Sequence, residues 1–306
     1  MHDIRKVPEP LAPAAVITGA TQGVGKELAK EFAGGGHTLL LVARDEVGLA
    51  VLARTLSDAH GIDVKYVACD LSTLEGCAEV EHALRRFDLY AEILVNNAAI
   101  MSAGFFQDQD PDTLRRIVDL DVRAVVDLTR RFLPGMLARK QGGVLNVASV
   151  EGFMPVPYQA TYAASKAFVL SFSRALAYET MGTDVRVSAL APGAIATTMH
   201  AKAGAEYSRY VQLFPVMTAE DVARIGYRQF KRGKKVIVTG RFNRLSVFAR
   251  RFAPDFALVP CMGWLFRVRD AEGNLQLPGP MDPPKPTTTK RAPADAAPND
   301  RKRLSA

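Results

Sequence analysis

The chain has 306 residues, 48% hydrophobic and 23% charged, which is enough apolar material for a sizeable core and ordinary for a globular protein. The net charge of +7 is unevenly placed: residues 1–230 carry 23 Lys/Arg against 26 Asp/Glu, and residues 231–306 carry 16 against 6. No apolar run reaches a membrane-spanning length, the N-terminus lacks the apolar stretch of a secretory signal, and three scattered cysteines with five dispersed histidines exclude a disulfide framework and give no metal-ligand spacing.

Residues 1–11 form a short lead. From residue 12 to 240, short apolar runs alternate with helix-length segments. Strands are expected at Ala14–Thr18, Thr38–Ala43, Val64–Cys69, Ile93–Asn96, Gly143–Ala148, Val185–Leu190 and Val236–Thr239. Helices are expected at Val24–Ala33, Val47–Ala59, Pro111–Arg139 and Tyr158–Met181. Near-continuous apolar strands alternating with helices predict an α/β fold, a doubly wound parallel sheet (Rossmann fold) with helices on both faces.

The first strand runs into Thr18-Gly19-Ala20-Thr21-Gln22-Gly23-Val24-Gly25. Glycines spaced in this way between a strand and a helix permit a tight turn and close approach of backbone to a pyrophosphate at a helix N-terminus. The second strand ends at Arg44, where a cation suits the 2′-phosphate of NADP(H) and an acid would suit NAD(H). Arg44 can equally be the solvated start of a helix. Asp70, after the third strand, can accept from an adenine amine or cap a helix beginning near Ser72.

Tyr162 and Lys166 are four apart in a helical segment and therefore share a face. A phenol titrates near ~10, and a neighbouring ammonium favours its ionised form, which suits proton transfer. Ser149 follows the strand Gly143–Ala148, at the carboxyl edge where open α/β sheets carry their sites.

With TGATQGVG at 18–25, CDL at 69–71, NNAA at 96–99, Ser149, YAASK at 162–166 and Pro192-Gly193 with Thr197, the sequence resembles the short-chain dehydrogenase/reductase family over residues 12–240. The resemblance implies that Tyr162 is the acid/base, that Lys166 binds the nicotinamide ribose and depresses the tyrosine pKa, and that Ser149 orients the substrate oxygen. It implies cofactor contacts from Gly19, Thr21, Gly23, Val24, Gly25, Arg44, Asp70, Leu71, Asn97, Ala98, Tyr162, Lys166, Pro192, Gly193 and Thr197, with Asn96 beside the cofactor. The family's asparagine in the helix after the fourth strand is Asp121 here, and a carboxylate there either substitutes for the amide or perturbs the site.

The expected activity is an NADP(H)-dependent carbonyl reductase or alcohol dehydrogenase; the rival is a dinucleotide-binding regulatory or scaffold protein. Met101, Phe105, Phe106, Phe153, Met154, Tyr158, Met199 and Phe214 lie in the loops that set specificity in this fold, which suggests a lipophilic substrate. By resemblance the two long helices form a homodimer or homotetramer interface. Residues 241–276 read as a basic helical extension, with ten Lys/Arg against one acid over 231–269, suited either to an anionic membrane surface or to packing on the domain. No recognition motif accompanies the charge, so nucleic acid is not expected. Residues 277–306 are Pro/Thr/Lys/Ala-rich and read as a disordered tail. The setting expected is cytoplasmic, peripheral at a membrane surface if the basic segment docks there.

Overall fold

The structure is a computed structural model, and it describes residues 11–196, 203–205, 207–269 and 273–278. Seven strands form one parallel sheet in the order β3-β2-β1-β4-β5-β6-β7. They are β1 (Ala12–Thr18), β2 (Leu39–Ala43), β3 (Val64–Ala68), β4 (Leu89–Asn96), β5 (Gly142–Val147), β6 (Val185–Ala191) and β7 (Val236–Val238). The order reverses between β1 and β4. This reversal opens a crevice beyond the carboxyl ends of those two strands, where doubly wound sheets bind ligands.

Alternation along each strand sends side chains to two apolar layers. Ile17, Leu39 and Leu41 face α1 (Gly23–Gly34), α2 (Glu46–His60) and α8 (Ala219–Lys231), whose Leu28, Phe32, Leu49, Tyr227 and Phe230 fill that side. Val16, Leu40, Val42 and Leu94 face the opposite layer, built from α3 (Leu74–Arg86), α5 (Ala124–Arg139) and α6 (Ala160–Glu179) through Val80, Leu84, Leu128, Phe132 and Ala177. Both faces are covered, which is why most of the strands read as near-continuous apolar runs.

β4 begins four residues before the expected Ile93. Its first half alternates buried Leu89 and Ala91 with half-exposed Tyr90 and Glu92, so no apolar run marks it. The helix expected at Pro111–Arg139 is helical throughout, as α4 (Pro111–Val118) and α5, but a π-type turn at Asp119–Arg123 joins them. A π turn inserts one residue into the helical repeat and rotates the following face. Here it carries Asp121 into the interior, where the residue is wholly buried.

Two further helices follow β7: α9 (Arg241–Ala249) and α10 (Asp255–Phe266). The described residues up to Gln276 form one compact unit. The tail expected to be disordered lies outside the described residues beyond Pro278.

Candidate active site

β1 ends on Thr18, whose hydroxyl ties the crevice floor together. It donates to the Val95 carbonyl at 3.1 Å and accepts from the Asn97 and Ala98 N–H groups at 2.9 and 3.0 Å. The Asn97 amide donates back to the Thr18 and Gly19 carbonyls. Gly19 has φ +65°, a left-handed conformation that favours glycine, and a Cβ on Gly25 would lie 2.2 Å from the Gly19 carbonyl oxygen. The first turn of α1 therefore rests directly on the glycine turn.

A cleft of about 530 Å³ opens here. Gly19, Gly23, Val24 and Arg44 line one end, with Asn97 and Ala98 at its floor and Tyr162, Lys166 and Pro192 at the other end. A backbone cradle that side chains would fill, a helix N-terminus and a cation at the end of β2 fit a dinucleotide carrying phosphates. Thr21 is half-buried beside this turn.

Asp70 is engaged locally. Its Oδ1 accepts from the Ser72 N–H at 2.9 Å and the Ser72 hydroxyl at 2.7 Å. Against the upward push of partial burial, those bonds, with Arg116 and Arg44, hold its carboxyl below the usual range. The cap of α3 is Thr73, not Asp70. Leu71 is a core residue. Asn96 points away from the cleft: its amide donates to Thr129 Oγ1 and to Asn146 Oδ1, and Asn146 donates to Ser173, a buried ladder between sheet and helices. Thr197 lies outside the described residues.

At the other end, β5 leads to Ser149 and a 3-10 turn at Val150–Phe153. A Cβ on Gly152 would lie 2.6 Å from the Lys166 backbone, so this turn packs on α6 without an intervening side chain. Ser149, Tyr162 and Lys166 are thereby brought together, all nearly buried. The Lys166 ammonium lies 5.4 Å from the Tyr162 ring centre, donates to the Val147 carbonyl at 3.4 Å and meets Asp121 Oδ2 at 3.0 Å. Asp121 Oδ1 accepts from the Ile100 N–H at 3.1 Å. Burial pushes the Asp121 carboxyl up, against Lys166 and the Ile100 bond. Burial, then Glu151, then Asp121 raise the Tyr162 phenol well above its ordinary value, and a hydrogen bond with Ser149 pulls it down. The expected depression of the tyrosine by Lys166 thus meets two opposing carboxyl groups.

Glu151 was not singled out from the sequence. It is only 4% exposed, its N–H donates to Ser149 Oγ at 3.2 Å, and burial raises its carboxyl to about 8 despite Lys166. The only signal for it was an acid in the apolar run following Ser149. Asn243, on α9, was also not singled out. Buried, it donates to the Thr239 carbonyl at 2.8 Å and packs so tightly on Gly193 that a Cβ there would overlap its side chain. The Pro192-Gly193 turn is held from behind by the basic C-terminal segment.

The eight apolar loop residues do not form one wall. Met101 packs on Tyr162 with Ala205. Met154 and Phe214 join Tyr210, Leu265 and Phe266 in a second cluster, and Phe105 meets Tyr158 edge-on at 5.2 Å. Phe153 packs on the core pair Val169 and Leu170, while Phe106 is exposed. Met199 lies outside the described residues. α10 closes this side: Phe266 stacks on Tyr210, a residue of the short helix α7 (Arg209–Leu213), with ring centres 4.4 Å apart.

Residues 13–208 match the family model described as short chain dehydrogenase. The chain is 32% identical over 257 residues to "Dehydrogenase/reductase SDR family member 7B" of Bos taurus, covering 78% of this chain and 77% of that one. It is 34% identical over 190 residues to "Inactive hydroxysteroid dehydrogenase-like protein 1" of Homo sapiens, covering 61% and 57%. Among solved structures, a short-chain dehydrogenase from Sphingobium yanoikuyae in complex with NADPH superposes with a TM-score of 0.70 at 33% identity, over 78% of this chain and 94% of that one. A seven-stranded doubly wound sheet, a glycine turn at its switch point, and a serine, tyrosine and lysine gathered at the end of β5 agree with that match: the chain belongs to the short-chain dehydrogenase family.

Proposed function

We propose that this protein is an NADP(H)-dependent carbonyl reductase acting on a lipophilic ketone, with Tyr162 as the proton donor. The observation that carries this reading is that Tyr162, hydrogen-bonded to Ser149, and Lys166 line the same cleft as the glycine turn and Arg44. Gly19, Gly23 and Val24 would hold the pyrophosphate of such a cofactor, Arg44 its 2′-phosphate and Lys166 its nicotinamide ribose. The chemistry supplied by bound NADPH is hydride donation to the carbonyl carbon. Ser149 donates to the substrate oxygen and fixes it beside the phenol. Tyr162 gives up its proton to that oxygen as negative charge develops there.

The electrostatics favour reduction. A phenol held above its ordinary pKa by burial, Glu151 and Asp121 stays protonated at neutral pH. Reduction uses that form, and alcohol oxidation needs the phenolate. The test is NADPH consumption with a panel of aryl and alkyl ketones for wild type and Tyr162→Phe. Turnover that survives in the variant, or NADPH binding by the wild type without turnover of any ketone, overturns the reading.

One observation favours the rival, a cofactor-binding protein without turnover. Lys166 is paired with Asp121 at 3.0 Å, and a carboxylate so close offsets the field that the lysine presents to Tyr162. The same panel separates the two readings.

A peripheral association with membranes fits the C-terminal segment. No helix of the described residues is long and apolar enough to cross a membrane. Phe242, Leu245, Phe248, Phe252 and Phe256 are exposed, interleaved with Arg241, Arg244, Arg250 and Arg251, which suits the surface of an anionic bilayer. Assembly through α5 and α6 fits the exposed Val126, Leu137, Phe168 and Tyr178 on those helices, and light scattering gives the oligomeric mass.

A further inference from the structure

We propose that Glu151 is a specificity-determining residue that binds a second oxygen-bearing group of the substrate, next to the carbonyl being reduced. The proposal rests on the reductase reading above and deepens it.

Three observations support it. First, Glu151 Oε2 is buried and has no hydrogen-bond partner. An unpaired buried polar atom is destabilising, and such atoms in native proteins call for an explanation. A substrate group that pairs it removes the penalty. Second, Glu151 springs from the turn that sets Ser149: the Ser149 hydroxyl accepts its N–H at 3.2 Å. Ser149 in turn hydrogen-bonds Tyr162, so the turn carrying Glu151 lies beside the reacting phenol, and the Glu151 carboxyl acts electrostatically on both Tyr162 and Tyr210. A group that reaches Glu151 therefore extends from the Ser149 side of an oxygen at Tyr162. Third, the reaction as derived does not use Glu151, because Tyr162 holds the transferable proton and Ser149 the orienting hydroxyl.

The surroundings fix the class of ligand. Lys166 faces the same carboxyl and disfavours an ammonium group on the substrate. Asp121, paired with the same lysine, disfavours a carboxylate. What fits is a neutral oxygen: a hydroxyl, a second ketone or an ester carbonyl, adjacent to or one carbon from the reacting carbonyl. Burial keeps Glu151 largely protonated at neutral pH, so its carboxyl can donate to that oxygen and accept from a hydroxyl. A site built to pair a substrate oxygen discriminates strongly against the analogue lacking it, because the site's own polar group is then left unpaired.

The experiment compares 1-phenyl-1,2-propanedione with propiophenone, which has the same skeleton without the second oxygen. Reduction by NADPH is measured for wild type, Glu151→Leu and Glu151→Gln. The dione is intrinsically more electrophilic, so the readout is the change between proteins in the ratio of the two kcat/KM values. Glu151→Leu is expected to lower the dione-to-ketone ratio by about tenfold, the value of one buried hydrogen bond. Glu151→Gln, whose amide also donates and accepts, is expected to keep the ratio within about threefold of wild type. A ratio unchanged in Glu151→Leu, both substrates falling by the same factor, or Glu151→Gln as impaired as Glu151→Leu overturns the proposal and leaves the reductase reading standing. No turnover of either ketone, or of any other, by the wild type overturns both.

Discussion

Asp121 Oδ2 lies 3.0 Å from Lys166 Nζ, and the pair is buried between the π turn of the α4–α5 segment and α6. Removing one member of such a pair leaves the other charge buried without compensation. Asp121→Ala is expected to destabilise the protein by roughly 3–5 kcal/mol, measured by urea denaturation. Asp121→Asn keeps an acceptor for the Ile100 N–H and for Lys166 and should cost less.

If Tyr162 is the proton donor proposed above, the same pair biases the direction of catalysis. The Asp121 carboxylate helps to raise the Tyr162 phenol, so Asp121→Asn should lower the apparent pKa that governs alcohol oxidation. Oxidation at neutral pH then rises several-fold, while ketone reduction, which uses the protonated phenol, changes little. The pH–rate profile of oxidation for both proteins decides it. Superimposable profiles remove Asp121 from the electrostatics of the site.

Removing the phenolic hydroxyl isolates the proton step. Tyr162→Phe should lower kcat for ketone reduction by ~100- to 10,000-fold, the usual worth of general acid–base catalysis, while NADPH binding followed by fluorescence stays close to wild type. A variant retaining a tenth of its activity contradicts the assignment.

Arg44 is the cofactor test. It lines the end of the cleft beyond the glycine turn. A charge-assisted contact to the 2′-phosphate is worth roughly 1.5–3 kcal/mol, so Arg44→Asp should weaken NADPH binding by about 10- to 100-fold and shift preference towards NADH. Wild-type protein that already prefers NADH in titration removes this role.

How much of this was legible depended on distance along the chain. The glycine turn and the Tyr162/Lys166 pair are local patterns, fixed by one turn and one helical repeat, and their spacing carries the geometry with it. The parallel sheet was legible because both its faces are covered. The start of β4 was not, because Leu89–Glu92 is buried on alternate residues only. The partners of the site were illegible for a different reason. Asp121 meets Lys166 only through a π turn that no helical periodicity announces. Asn243 reaches Gly193 from fifty residues downstream. Nothing local marks Glu151 as buried; the packing of Gly152 on α6 puts it underneath.

Glu151 also ties stability to pH. Its carboxyl titrates near 8 when folded and in the ordinary carboxylate range when unfolded, so between those values the folded state holds a proton that the unfolded state has lost. Stability therefore falls as pH rises through that window, by at most ~1.4 kcal/mol per pH unit for one proton. Glu151→Gln removes this component. Its stability relative to wild type should improve steadily from about pH 5 to pH 8 and level off above. Parallel stability curves for the two proteins over that range contradict a buried, proton-holding Glu151.

The basic C-terminal segment has two kinds of apolar residue, and they should separate cleanly on mutation. Phe266 is 2% exposed, stacked on Tyr210 and packed in one cluster with Leu265 and Val156. Phe266→Ala leaves a cavity there and should cost roughly 3–5 kcal/mol, with a raised KM for ketones because Tyr210 loses its support. Phe248 and Phe252 are more than half exposed and touch each other edge-on at 5.5 Å. Changing both to serine removes nothing from the core, so stability should move by less than about 0.5 kcal/mol for each. If these rings and their arginines rest on a membrane, the double variant loses sedimentation with phosphatidylserine-containing vesicles, and so does the wild type at high salt, because screening weakens attraction to anionic lipid. Vesicles of phosphatidylcholine alone should bind much less of the wild-type protein. Equal sedimentation of both proteins, insensitive to salt, would remove the membrane role. The arginines of this segment would then be solvated charges on two helices whose inner faces hold the Pro192-Gly193 turn and the Tyr210 wall.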